Sequence, residues 1–182
     1  MKNKKKSLLV WIDLEMTGLD IEKNIILEIA SIITDNNLTV IANGPAYIIN
    51  QSEEHLDAMN DWCKKHHAES GLVDAVRAST ITLEYAQQKT LQFIQTHCEP
   101  QTALLCGNSI WQDRLFLAKY MPDIVNYLSY RMIDVSSIKE VIKRWNSRDQ
   151  HAMFKKSDTH RALEDIQESI NELKHYRKYF FV

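Results

Sequence analysis

Asp13 and Glu15 stand at i and i+2 at the end of an apolar run, residues 8–14. In a strand that spacing sends both carboxylates to one face, with their roots roughly 6 to 7 Å apart. Two carboxylates on one spot repel unless a cation sits between them, and hard cations such as Mg²⁺ take oxygen ligands by preference. A solvated strand end also explains the pair, so Asp-x-Glu alone decides nothing. Asp113 adds a third acid. It follows the apolar segment 103–106 across a Gly-Asn-Ser loop and lies near the start of the next helix, an edge where open α/β sheets gather ligand sites. Taken alone it also fits as a first-turn acid that offsets the helix dipole.

The fourth acid comes from His160-Arg161-Ala162-Leu163-Glu164-Asp165, where the choice lies between Glu164 and Asp165. Helical periodicity puts Leu163, Ile166, Ile170 and Leu173 on the buried stripe, and Glu164 beside Arg161 and Glu168 on the charged side. Asp165 instead neighbours Ala162 and Ser169, small residues that let it approach a sheet. His160, if helical, would lie about 140° around the axis from Asp165, so it is expected ahead of the helix. From there an imidazole can swing over the acids as a general base, taking the proton that water must lose to attack phosphorus. A surface histidine at a helix start is the plainer alternative.

These residues need a scaffold that brings chain ends together. Segments 8–14, 25–34 and 39–49 read as strands, the third interrupted near Gly44 and Pro45, with Asp35-Asn36-Asn37 turning between the last two. Apolar spacing becomes helical over 53–62 and 83–97, and 103–106 is a short buried strand. A helix over 112–120 should stop before Pro122. Residues 131–135 form a further strand, Ser136 or Ser137 caps a helix to 145, and Ser157-Asp158 starts the last helix. The polar stretch 146–156 reads as a mobile loop. Hairpins followed by strands alternating with helices imply an α/β fold, a mixed sheet flanked by helices.

Composition bounds the partners. The chain of 182 residues is 45% hydrophobic and 25% charged, the size and balance of a single domain over residues 8–182. Its 22 Lys and Arg against 24 Asp and Glu give a formal charge of −2, without the basic footprint of a protein that tracks long nucleic acid. A nucleic-acid substrate would therefore be short. Lys2, Lys4, Lys5 and Lys6 belong to a solvated, disordered leader over residues 1–7. The apolar run behind them is too short for a secretory core or a membrane span, so no membrane partner is expected. Cys63, Cys98 and Cys106 form no Cys-x-x-Cys pair, which fits a reducing cytoplasm.

Asp-x-Glu, then Asp, then His-x-x-x-x-Asp resembles the DEDDh 3′→5′ exonuclease superfamily, whose fold is ribonuclease H-like. More specifically, the chain resembles the oligoribonuclease family in Trp11-Ile12-Asp13-Leu14-Glu15-Met16-Thr17-Gly18-Leu19-Asp20, Ile26-Leu27-Glu28-Ile29-Ala30 and Cys106-Gly107-Asn108-Ser109. Gln112-Asp113-Arg114, Lys119-Tyr120-Met121-Pro122 and Asp134-Val135-Ser136 continue the likeness, which runs from about residue 8 to about 180. The resemblance implies two divalent cations, Mg²⁺ or Mn²⁺, held by Asp13, Glu15, Asp113 and Asp165, with His160 as base. It implies short RNA as substrate, dinucleotides above all, and nucleoside 5′-monophosphates as products; a DNA exonuclease of the same superfamily is the alternative. It further implies a wedge at Leu19 and a stacking platform at Trp62, a residue whose helix would otherwise bury it in the core. A 5′-phosphate cap falls on Ser109, Arg131, Ser136 and Ser137, with His67 nearby. The family's homodimer would bring Tyr130 and Arg131 from the other subunit. Glu28 and Asp134 are implied as supporting acids. Two positions depart from the pattern: Trp111 replaces a usual glycine beside the cap, and Ser137 a common threonine.

Overall fold

The computed structural model describes residues 8–155 and 161–181. The leader 1–7, His160 and the expected helix start at Ser157-Asp158 lie outside them. Five strands form one mixed sheet in the order β3-β2-β1-β4-β5. β1 (Leu9–Met16), β2 (Ile26–Thr34) and β3 (Val40–Ile48) run antiparallel, while β4 (Leu104–Gly107) and β5 (Met132–Asp134) add in parallel. Gly44 and Pro45 do not interrupt β3. The pairing shifts register instead, and an edge strand tolerates proline because one row of its amides needs no partner.

β1 is buried on both faces, and its alternation divides the core. Val10, Ile12 and Leu14 join one apolar cluster with Ile94, Phe116 and Leu117, whereas Leu9 and Trp11 join another with Ile166, Ile170 and Tyr176. Asp13 and Glu15 continue the second, odd-numbered face. They therefore end their strand beneath α8 (Ala162–Phe180), which packs across β1 and β2. The expected stripe of α8 needs one correction. Leu163 is exposed, and the buried face is Ala162, Ile166, Ser169, Ile170, Glu172 and Tyr176, because the helix meets the sheet through its small residues.

Other boundaries shift for local reasons. The single helix expected over 53–62 is two: α1 (Glu53–Asp57) ends, and Asn60 caps α2 (Asp61–Glu69) by accepting from the Cys63 amide at 2.8 Å. α3 (Leu72–Ala78) was not expected, and α4 (Leu83–His97) was. α5 (Ile110–Tyr120) stops before Pro122, which then opens α6 (Pro122–Tyr127) from its first position, where a missing amide costs nothing. α7 (Val135–Trp145) is capped by Asp134 rather than by Ser136 or Ser137. Residues 146–155 are not a detached loop: His151 stacks on Tyr179 at 3.8 Å, and His175 Nε2 donates to the His151 carbonyl at 2.7 Å. No helix among the described residues is long and apolar enough to cross a membrane.

Candidate metal centre and adjoining cleft

Asp13 and Glu15 from β1 meet Asp165 from the first turn of α8, and ligand oxygens of the three lie within 4.8 Å of one another. Ala162 is fully buried and Ser169 nearly so, which brings this face of α8 down onto the strand, while Glu164 is exposed. Asp113 arrives from the other side of the sheet, on α5. The register of β4 with β1 ends at Trp11, and beyond it the Leu14 amide donates to Asp113 Oδ1 at 3.0 Å. That bond fixes the fourth acid against the strand that carries the first two, close enough for its charge to be felt at Glu15.

Burial, then the charges of Asp165, Glu28 and Asp113, push the Glu15 carboxyl up to about 8, with Arg161 opposing. Burial likewise raises Asp113 to about 7, against the Leu14 hydrogen bond. Acids held so far above their ordinary range are gathered at a cost that divalent cations would offset. The donor set is all oxygen, as Mg²⁺ and Mn²⁺ prefer.

Glu28 is engaged by an ion pair. It sits opposite Glu15 in the β1–β2 register, is almost wholly buried, and receives both Nε and Nη2 of Arg161 at 3.1 Å. This two-pronged ion pair ties the residue after His160 to the strand beside the acids. Sequence reading left Arg161 on a charged surface; the signal was an acid within the apolar run of β2, which needs a buried cation nearby.

A cleft of about 500 Å³ adjoins the acids, lined in part by Glu15, Gly18, Leu19, Asn60, Trp62 and His67. Leu19 is 68% exposed and Trp62 57%, so Trp62 is no core residue. The break at Asn60 explains this, since it starts a new helix whose first turn points Trp62 outward and Cys63 inward. The Trp62 ring lies against His66, centroids 4.1 Å apart. His67 is buried at the cleft wall, where Nε2 donates to the Met16 carbonyl at 2.9 Å and Nδ1 stands 3.9 Å from Glu15 Oε2. It thus belongs with the stacking cleft.

The serines meet elsewhere, around Asp134. Asp134 Oδ1 accepts from the amides of Ser109 and Ser136 at 2.9 and 3.0 Å, and Oδ2 from the Ser137 hydroxyl at 2.7 Å. Arg131 lies over the ring of exposed Tyr130, 4.5 Å from its centroid. Trp111 is exposed on the first turn of α5. A polar network missed in the sequence links this group to the acids. Ser136 Oγ donates to Asn108 Oδ1, and Asn108 Nδ2 donates to Ser169 Oγ and buried Glu172; Ser169 in turn donates to the Asp165 carbonyl. Asp165, Ser169, Glu172 and Tyr176 fall at i, i+4, i+7 and i+11, a polar stripe that periodicity could have shown.

A family of exonucleases, RNase T, matches this chain over residues 10–173. The mitochondrial oligoribonuclease of Homo sapiens is 51% identical over 173 residues, 95% of this chain and 73% of that one. An oligoribonuclease of Haemophilus influenzae is 51% identical over 175 residues, 96% of each chain. Among solved structures, Escherichia coli exonuclease I in complex with an oligonucleotide superposes with a TM-score of 0.74 at 12% identity. That match covers 96% of this chain but 41% of the other, and it bears on the fold alone.

Proposed function

The chain is an oligoribonuclease-like member of the RNase T exonuclease family, and from that premise we propose that it is a 3′→5′ exoribonuclease releasing nucleoside 5′-monophosphates from short RNA. The observation that carries this is the convergence of Asp13, Glu15 and Asp165 within 4.8 Å, with Asp113 braced beside them. These four would hold two divalent cations, Mg²⁺ or Mn²⁺, whose chemistry is to make water acidic and to offset charge on the departing 3′ oxygen.

The protein's own groups do the rest. Leu19 parts the last two bases and Trp62 stacks on one of them, contacts that any base can make. His67, lining the same cleft as Trp62, keeps its proton on Nε2 through the Met16 carbonyl and turns Nδ1 toward Glu15. Ser109, Ser136 and Ser137, pre-arranged by Asp134, and Arg131 receive a 5′ phosphate and so close the site behind a dinucleotide. His160, next in sequence to the anchored Arg161, is the general base. Tyr130 and Arg131, exposed and stacked on each other, suit a homodimer in which the pair completes a neighbouring site. The buried, unpaired thiols of Cys63, Cys98 and Cys106 agree with a reducing cytoplasm.

The test is a time course with Mg²⁺ or Mn²⁺ on 5′-labelled RNA of two to ten nucleotides, beside single-stranded DNA and an Asp113→Ala control. Rapid metal-dependent conversion of the RNA dinucleotide to mononucleotides, absent in the variant, is the expected result. Faster degradation of longer DNA would move the chain to a different substrate class.

A further inference from the structure

Leu19 is too exposed for packing to hold it, yet a wedge must keep a fixed distance from the acids. What holds it is backbone. The loop 17–25 between β1 and β2 is closed on itself: Thr17 and Ile25 exchange two bonds of 3.0 Å, and the Asp20 amide donates to Asn24 Oδ1 at 2.9 Å. Gly18 permits this closure, because a Cβ there would stand 2.6 Å from that same Asn24 oxygen. The closed loop is then tied to α5 at both ends of the helix. Gln112 Nε2 donates to the Leu19 carbonyl at 2.9 Å, and the Tyr120 hydroxyl donates to the Asn24 carbonyl at 2.7 Å. Lys119 reaches the Ile21 carbonyl and stands 3.7 Å from the Glu22 carboxylate.

The same helix carries Asp113, which is locked to the Leu14 amide. Eight residues of helix, about 12 Å, separate Gln112 from Tyr120, so one rigid element spans the loop while fixing the acid. The geometry points to Gln112 and Tyr120 as positioning residues for Leu19. Through them α5 is a ruler that sets the gap between wedge and metal site; a dinucleotide must be parted there while its 5′ phosphate stays in the cap, so a displaced wedge costs it more than longer RNA, which does not use the cap. Neither side chain needs to touch substrate. The inference rests on the wedge role of Leu19 given above.

Gln112→Met keeps length and removes the donor; Tyr120→Phe keeps the ring that packs in the core and removes the hydroxyl. The measurement is kcat/KM for an RNA dinucleotide and an RNA hexanucleotide, together with hydrolysis of the p-nitrophenyl ester of a nucleoside 5′-monophosphate, in which there are no neighbouring bases to part. In the double variant the dinucleotide-to-hexanucleotide ratio should fall about fivefold, the scale of two lost hydrogen bonds, while ester hydrolysis stays within about twofold. Leu19→Ala should lower the ratio similarly, and adding it to the double variant should lower it little further, since all act on one device. An unchanged ratio in the double variant beside a lowered one in Leu19→Ala overturns the inference and leaves the wedge intact. An equal fall on all three substrates also overturns it, because α5 would then matter only through Asp113. A wild type that does not favour the dinucleotide overturns the substrate reading itself.

Discussion

Two groups of carboxylates lie near the carboxyl ends of the parallel strands, and they are treated in opposite ways. Asp134 accepts from two amides and a hydroxyl, all at 2.7 to 3.0 Å. Asp13, Glu15 and Asp165 are turned toward one another, and burial and mutual repulsion raise Glu15 to about 8. The first arrangement is what a chain does with a carboxylate it uses as scaffold: the charge is absorbed by donors and shapes the loop around it. The second leaves charge concentrated, a cost that a fold bears where a cation is to bind. Residue type does not separate the two groups; what separates them is that Asp13, Glu15 and Asp165 face one another, whereas Asp134 faces amides and a hydroxyl.

The sharpest way to break this contrast is to change one acid in each environment. Asp165→Ala should lower turnover at least about a thousandfold, while its exposed neighbour Glu164→Ala stays within about twofold. Equal losses would mean that α8 presents its other face to the metals. Next in size is the anchor beside the cluster. Arg161→Ala leaves Glu28 as a buried charge without its partner, and unfolding in urea should report a loss of about 3 kcal/mol.

Acidity provides a third contrast. Glu15 and Asp113 keep protons in the folded chain at pH values where the unfolded chain has released them. Without metal, stability should therefore be greatest near pH 4 as far as these groups are concerned, and be lost as pH rises to about 8. Cations compete with those protons, so Mn²⁺ should raise the melting temperature by about 5 °C at pH 8 and by clearly less at pH 6. Glu15→Gln should flatten the difference, whereas Asp134→Asn should not. The latter should instead cost about 1 to 2 kcal/mol, because an amide nitrogen cannot accept the bond from Ser137. The smallest effect belongs to the phosphate end: Arg131→Ala should weaken a 5′-phosphorylated dinucleotide about tenfold and its dephosphorylated counterpart much less. Parallel losses would remove Arg131 from the cap.

Much of the frame was visible in the sequence because it rests on local pattern. Alternation in 8–14 shows the face shared by Asp13 and Glu15, and periodicity in the last helix separates Asp165 from Glu164. What escaped depends on pairings across long stretches of chain. Arg161 meets Glu28 across 133 residues and Gln112 meets Leu19 across 93, and nothing near either residue in sequence announces the other. The split of the 53–62 helix escaped for a different reason. Asn60 satisfies the amide of Cys63 and so restarts the helix, turning Trp62 outward where uninterrupted periodicity would have buried it.

The central claim, that the crowded acids form the metal centre, is tested most directly by titrating Mn²⁺ into the metal-free protein by calorimetry, with Asp165→Asn and Asp134→Asn alongside. The account expects about two Mn²⁺ per chain in the wild type and in Asp134→Asn, with binding strongly weakened in Asp165→Asn. Retention of full Mn²⁺ binding by Asp165→Asn, or its loss in Asp134→Asn alone, would place the metals elsewhere and contradict it.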